Sequence, residues 1–289
     1  MSPRPLIKRV PLYFGAVRFH ESIFALPFAY SGMVLAADGL PSWSQFVWIT
    51  VAMVSARTLG MSSNRIMDRH IDALNPRTAE RHLPGGLLGL RDMMVLAVVA
   101  LGIFFLAASQ LNLLALALAP VAAVYLIVYP LTKRFTWTAS LALGGALGMV
   151  PSAAWIAVRG SLSWEPVLLS AAVALWAGSF DILYHIQDRE FYFSHGLHSV
   201  VRRFGVVASF RWARTFDAAA VICLVGLGLG MGLALPYFIG CVLTTGLLFY
   251  KYRVVSPDDI TRMGMAFLRI NAYVSATMFV STLIAVLLV

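Results

Sequence analysis

The chain has 289 residues, 60% hydrophobic and 12% charged, with mean hydropathy +0.81 and a formal net charge of +9. A soluble domain carries about 25% charged and 45–50% apolar residues. This composition therefore excludes a soluble globular enzyme, a disordered chain and a secreted disulfide scaffold. What remains is an all-α polytopic membrane protein, because apolar runs near 20 residues cross about 30 Å of hydrocarbon, whereas a β-barrel shows ~10-residue alternating segments.

The first 19 residues hold Pro3, Pro5 and Pro11 with Arg4, Lys8, Arg9 and Arg18. They lack an apolar core and a cleavage site, so no signal peptide is expected. Nine apolar windows follow, near 20–38, 43–61, 92–109, 111–130, 138–158, 165–186, 213–234, 236–251 and 266–289. Only Pro236 punctuates the seventh and eighth, which predicts a tight hairpin. With the amino terminus inside, every one of the 22 Lys and Arg except Arg159 falls on an inner segment, as the positive-inside rule requires. The expectation is one domain of nine transmembrane helices over 1–289, in the inner membrane, amino terminus cytoplasmic. The positive charge then belongs to cytoplasmic loops, and neither a nucleic acid nor an obligate protein partner is expected. Cys223 and Cys241 lie within apolar windows and read as small buried hydrophobes. Two inner connections, about 62–91 and 187–212, are long and charged, which marks them as functional rather than merely connecting.

The second window runs into the first of these connections. Asn64, Asp68 and Asp72 recur every four residues there, and Arg57 lies seven residues before Asn64. On a helix this spacing stacks oxygen donors on one face. Neighbouring carboxylates repel unless a cation offsets them, and oxygen-only donors suit a hard ion such as Mg²⁺ completed by substrate phosphate oxygens. The alternative is a solvated helix end whose Asp residues pair with Arg65 and Arg69. At the end of the sixth window, Asp181, Tyr184, His185 and Asp188 fall at helical offsets 0, 3, 4 and 7. Asp181 lies inside the membrane edge, where an unpaired ionisable group is costly to bury, and this makes it a functional candidate. His185 reads as a hydrogen-bonded interior histidine, since no Cys/His spacing suggests zinc. Arg77, Arg81, Lys133 and Arg134 supply cations on the same side, suited to charge-assisted phosphate contacts.

Three stretches then carry a resemblance: NRIMDRHIDALNPRTAERHLPGG, YPLTKRF and FDILYHIQDREF. With the RFHESIFALPFAY opening (Arg18 to Tyr30) and the Arg81-His-Leu83-Pro84 element, they resemble the UbiA superfamily of intramembrane aromatic prenyltransferases. The likeness is to its bacterial 4-hydroxybenzoate polyprenyltransferase branch and the menaquinone-pathway relatives, and it covers essentially the whole chain. It implies transfer of a prenyl chain from an allylic diphosphate to an aromatic acid. Asn64, Asp68 and Asp72 would be the first Asp motif, holding Mg²⁺ and diphosphate, and Asp181 and Asp188 the second. Lys133 and Arg134 would be the basic pair at the diphosphate, with Arg57 and Tyr184 lining the same cavity. One departure stands out: the second motif normally has an Asp four residues after Asp188, where this chain has Tyr192, with Glu190 as a nearby carboxylate.

Phe19, Phe24, Phe28, Tyr125, Tyr129 and Trp155 are candidates for the aromatic wall that would shelter a carbocation. Arg57 is the candidate for the acceptor's carboxylate. The bilayer enters as a partner because the isoprenoid tail needs an opening to lipid. The competing reading is a transporter that uses the Asp clusters to bind an ion or a substrate.

Overall fold

The computed structural model describes residues 6–288, and the described residues are helical with no strand. After α1 (Leu6–Ala16), a 3-10 turn (Phe19–Phe24) leads into α2 (Leu26–Ala37). Helix α3 (Trp43–Leu74) starts at a capping box, in which Ser42 Oγ accepts from Gln45 N at 3.2 Å and Gln45 Oε1 accepts from Ser42 N at 3.1 Å. At 1.5 Å per residue it is roughly 48 Å long, more than the ~30 Å of a hydrocarbon layer. Its last turns, with Asn64, Asp68 and Asp72, therefore continue past any apolar span.

Helices α4 (Leu90–Ser109) and α5 (Leu113–Val128) follow, then a 3-10 turn (Tyr129–Arg134) and α6 (Ala139–Arg159). Helix α7 (Trp164–Tyr184) passes through the 3-10 turn His185–Asp188 into the short α8 (Arg189–Ser194). Helix α9 (Val200–Met231) turns back through Gly232, at φ +65°, into α10 (Leu235–Val254). This is the hairpin that Pro236 announces. The one-turn α11 (Met263–Met265) and a π-helical stretch (Ala266–Ile270) precede α12 (Asn271–Leu287).

The nine windows all fall on helical segments, but six helices are long and apolar enough to cross a membrane: Leu90–Ser109, Leu113–Arg134, Ala139–Arg159, Trp164–Ser194, Val200–Met231 and Met263–Leu287. The first window fails on length, since α2 has 12 residues. The windows in α3 and α10 hold Arg57 and Lys251, ionisable groups that the bundle accommodates inside. Two boundaries move. The helix expected at 213–234 starts at Val200, and the connection expected at 62–91 is helical as far as Leu74.

The bundle packs α6 along α7, α7 along α9, α3 along α4 and α2 along α6. Small residues allow the closest approach: a Cβ on Gly144 would lie 2.3 Å from the Ala174 carbonyl oxygen of α7. Outward faces are apolar, with Val98, Val121, Ile222, Leu229 and Val242 between 65% and 71% exposed. Such a surface is stable only against lipid, and the chain is a multi-pass membrane protein.

Candidate active site

Four elements meet at one end of the bundle: the last turns of α3, the following loop to Pro84, the turn Tyr129–Arg134, and the end of α7 with its 3-10 extension. Between them lies a chamber of about 190 Å³. Asn64, Asp68, Asp72, Arg77, Arg81, Lys133, Asp181, Tyr184 and Asp188 all line it. The two Asp groups, more than 100 residues apart in sequence, thus face a common space.

The carboxylates are buried and each is met by a basic group. Asp68, 1% exposed, is hydrogen-bonded by Lys133 Nζ, with Arg134 Nη2 3.7 Å from its Oδ1. Both oxygens of Asp72 accept from Arg81 Nη1 at 2.8 Å, and Arg65 stands 3.8 Å away. Arg77 grips Asp188 with two nitrogens, Nε to Oδ1 at 2.8 Å and Nη2 to Oδ2, and donates to Tyr184 OH at 2.9 Å. Burial opposes the charge on Arg77, but these hydrogen bonds outweigh it and raise its pKa. Asn75 Nδ2 adds a bond to Asp188 Oδ1 at 3.0 Å. His185 Nδ1 is 3.5 Å from Asp181 Oδ2 and 3.3 Å from Ser140 Oγ, the hydrogen-bonded histidine that its setting predicts.

These partners bear on the solvated-end reading of the first motif. Asp68 and Asp72 are not on a solvated helix end, and of Arg65 and Arg69 only Arg65 reaches a carboxylate; Arg69 donates to the Ile66 carbonyl. Among the described residues no three His, Cys, Asp or Glu side chains converge as a ready-made metal site. Asp68, Asp72 and Asp188 are instead each turned toward a Lys or Arg, and Asp181 toward His185. The donor set nevertheless fits a hard ion, because Asp68 Oδ1 is buried and accepts no hydrogen bond.

Some expected residues lie elsewhere. Arg57 is not in the chamber. It donates to the Arg18 carbonyl and to Glu21 Oε2, both at 3.3 Å, and faces a larger neighbouring cavity. Arg134 sits at the rim and donates to the Met67 carbonyl. Asp188 belongs to the 3-10 turn, not to α7, so the single α-helical face expected there ends at Tyr184. Glu190 is exposed and offers no carboxylate to the chamber, whereas Tyr192 is 5% exposed, lines it and packs 5.1 Å from the His185 ring. Of the six aromatics, Tyr129 alone lines the chamber; Phe24, Phe28 and Trp155 are core residues and Tyr125 OH donates to the Ala142 carbonyl.

Other residues join that no spacing singled out. Arg18, Glu21, Arg65 and Asn75 all line the chamber. Arg18 sits at φ +47°, an uncommon conformation for a non-glycine residue, with Nη1 2.8 Å from Glu21 Oε1. Two further cavities adjoin. One of about 250 Å³ shares Arg18, Arg65, Arg77 and Arg81 with the chamber. The other, about 630 Å³ and bounded by α3 to α7, is almost wholly apolar and shares Met61 and Tyr129 with it.

Comparison with known proteins agrees with this architecture. The model of the UbiA prenyltransferase family matches residues 25–286. A 4-hydroxybenzoate octaprenyltransferase of Cupriavidus metallidurans is 31% identical over 292 residues, covering 97% of this chain and 96% of the relative. The apo structure of a UbiA homolog from Aeropyrum pernix K1 superposes with TM-score 0.80 at 29% identity, over 92% of this chain and 97% of that one. A UbiA homolog from Archaeoglobus fulgidus bound to DMAPP and Mg²⁺ shares the fold at TM-score 0.68 and 19% identity, over 92% of this chain and 98% of that one. A family match over nearly the whole chain, on a bundle whose two Asp-bearing ends share a chamber, places the chain in the UbiA prenyltransferase family, and it is a prenyltransferase.

Proposed function

We propose that this protein carries out Mg²⁺-dependent transfer of a polyprenyl group from an allylic prenyl diphosphate to 4-hydroxybenzoate or a related hydroxy-aromatic acid, in quinone biosynthesis. One observation carries the reading: the charged chamber and the apolar cavity of about 630 Å³ adjoin, with Met61 and Tyr129 in the walls of both. An amphiphile with a phosphate head and a hydrocarbon tail matches that pair of compartments. The named relative and the archaeal homolog with DMAPP and Mg²⁺ support the substrate class.

Asn64, Asp68, Asp72, Asp181 and Asp188 are the residues that would hold Mg²⁺, which when bound offsets the charge on the diphosphate. Lys133, Arg134 and Arg81 bind the diphosphate oxygens and stabilise the anion that grows as the C–O bond breaks and its electron pair leaves with the diphosphate. Tyr129 presents a ring where the allylic cation forms, and the surrounding helices exclude water that would quench it. The ring carbon beside the phenolic hydroxyl of the acceptor then attacks the cation, and the proton on that carbon passes to the released diphosphate, which restores the aromatic ring. Arg18 and Arg65, which border the smaller basic cavity, and Arg57, which shares Glu21 with Arg18, are the cations left to meet the acceptor's carboxylate. The bundle lies in the inner membrane with the amino terminus cytoplasmic, so that the chamber faces the cytoplasm and the apolar cavity lies within the bilayer.

The test uses membranes supplied with Mg²⁺, a radiolabelled prenyl diphosphate and a panel of aromatic acids. Asp68→Ala and Asp181→Ala are each expected to abolish incorporation of label into the acid, as is chelation of the metal. Full activity in either variant overturns the assignment. Flux of label across vesicles without incorporation would point to a carrier instead.

A further inference from the structure

A second basic surface lies on the outside of the bundle, at the same end as the chamber. Beyond Gly205, one exposed stripe of α9 reads Val207, Arg211, Arg214, Ala218, Ile222 and Leu229. Arginine marks the end near the chamber, and bare hydrocarbon follows, with Ile222 71% and Leu229 69% exposed. Arg203 lies just before Gly205, its guanidinium 5.1 Å from the Trp137 ring and 5.3 Å from the Phe204 ring. Trp137 and Phe204 meet edge to face at 5.2 Å, and Trp212 joins them at 6.1 Å. Arg214 stacks on Tyr252 of α10 at 5.2 Å. Among the described residues no carboxylate pairs with Arg203, Arg211 or Arg214.

Tryptophan beside arginine, at the edge of an apolar lipid-facing surface, is the arrangement of a headgroup layer. A soluble polyanion or an acidic protein would meet the arginines but not the hydrocarbon along the same stripe. Only an amphiphile whose phosphate sits above its own acyl chains meets both. We propose that this face binds the phosphate of an anionic phospholipid, and that the bound lipid holds the cap, the segment between α7 and α9 whose Phe191, Tyr192 and Leu197 line the chamber, closed over it.

The link to the cap is covalent and hydrogen-bonded. Gly205, at φ +83°, breaks α9, so Val200–Phe204 forms a turn of its own continuous with the cap. Arg202 Nη1 donates to the Leu197 carbonyl at 2.8 Å, and His198 N donates to the Lys133 carbonyl at 2.7 Å. Lys133 is the partner of Asp68. Anions bound by Arg203 and Arg211, on either side of Gly205, therefore restrain the segment that fixes Lys133.

The experiment rests on the prenyl-transfer reading for one of its two readouts. The full chain is reconstituted in vesicles of phosphatidylcholine, with and without phosphatidylglycerol, and KM for the prenyl diphosphate is measured. Phosphatidylglycerol retained by the purified protein in detergent is counted separately, a readout that needs no activity. The wild type is expected to retain phosphatidylglycerol and to show a lower KM when it is present. An arginine near an anionic surface contributes about fivefold in affinity. A general surface charge acts oppositely, since it repels the diphosphate and raises KM. Arg203→Gln/Arg211→Gln/Arg214→Gln should lose both effects while keeping its kcat in phosphatidylcholine, and the corresponding triple Lys variant should regain them. A wild-type KM that phosphatidylglycerol leaves unchanged or raises overturns the proposal without any variant. So does equal retention of the lipid by wild type and the Gln variant. Absence of transfer in every vesicle, with lipid retention intact, would count against the enzymatic reading and not against the lipid site.

Discussion

At the scale of single residues, three of the four site carboxylates, Asp68, Asp72 and Asp188, are each met by a Lys or Arg. Arg77 is the clearest case, because its fork meets both oxygens of Asp188 and also Tyr184. Hydrogen bonds to charged groups contribute about 1.5–3 kcal/mol each, and a bidentate pair adds geometric selection. Arg77→Ala is expected to lower kcat/KM for the prenyl diphosphate about tenfold to a hundredfold, with Arg77→Lys giving little rescue because an ammonium cannot form the fork. Steady-state assays of both variants at several Mg²⁺ concentrations check this. Tyr192 belongs to the same scale. Its buried ring packs against His185, so between Asp181 and Tyr192 the chamber receives two Asp side chains, Asp181 and Asp188.

At the scale of elements, the decisive feature is where helices stop. Helix α3 overruns the apolar layer and carries its Asp residues into the chamber, whereas α7 ends at Tyr184 and hands Asp188 to a 3-10 turn. The four-residue period of Asn64, Asp68 and Asp72 was legible because an uninterrupted helix preserves it. The 3-10 turn was not, since nothing in the run from Tyr184 to Asp188 is a breaker; in the fold Asp188 is held there by Arg77 and Asn75 from a segment far away in the chain. Helix contact is equally exacting. Gly144 lies against the Ala174 backbone, where a Cβ would stand 2.3 Å from the carbonyl oxygen. Gly144→Ala must push α6 from α7 and should cost about 1–3 kcal/mol, as overpacking does. Thermal unfolding in detergent is expected to show the loss, and an unchanged midpoint would contradict the packing described.

At the scale of the molecule, three cavities adjoin through shared wall residues: basic, acidic-and-basic, then apolar. Ala56 lines the apolar compartment beside Arg57. Ala56→Phe fills space that a prenyl tail would occupy, so KM should rise more for long donors than for short ones. An assay series in donor length tests this, and an equal effect at every length would place the tail elsewhere.

Scarcity and placement of charge were enough, from the amino-acid sequence alone, to establish a membrane bundle, its two Asp-bearing helix ends and the cations on the same side. These are one-dimensional properties: apolar length, helical period and the sorting of charge across a bilayer. Which cation meets which carboxylate, the exclusion of Arg57 from the chamber, the entry of Arg18, Glu21 and Asn75, and the junction at Met61 and Tyr129 were decided only by the tertiary structure. Each of those depends on distances between segments far apart in the chain. Helix packing sets them, through contacts such as that of Gly144 with Ala174, and no local pattern encodes them.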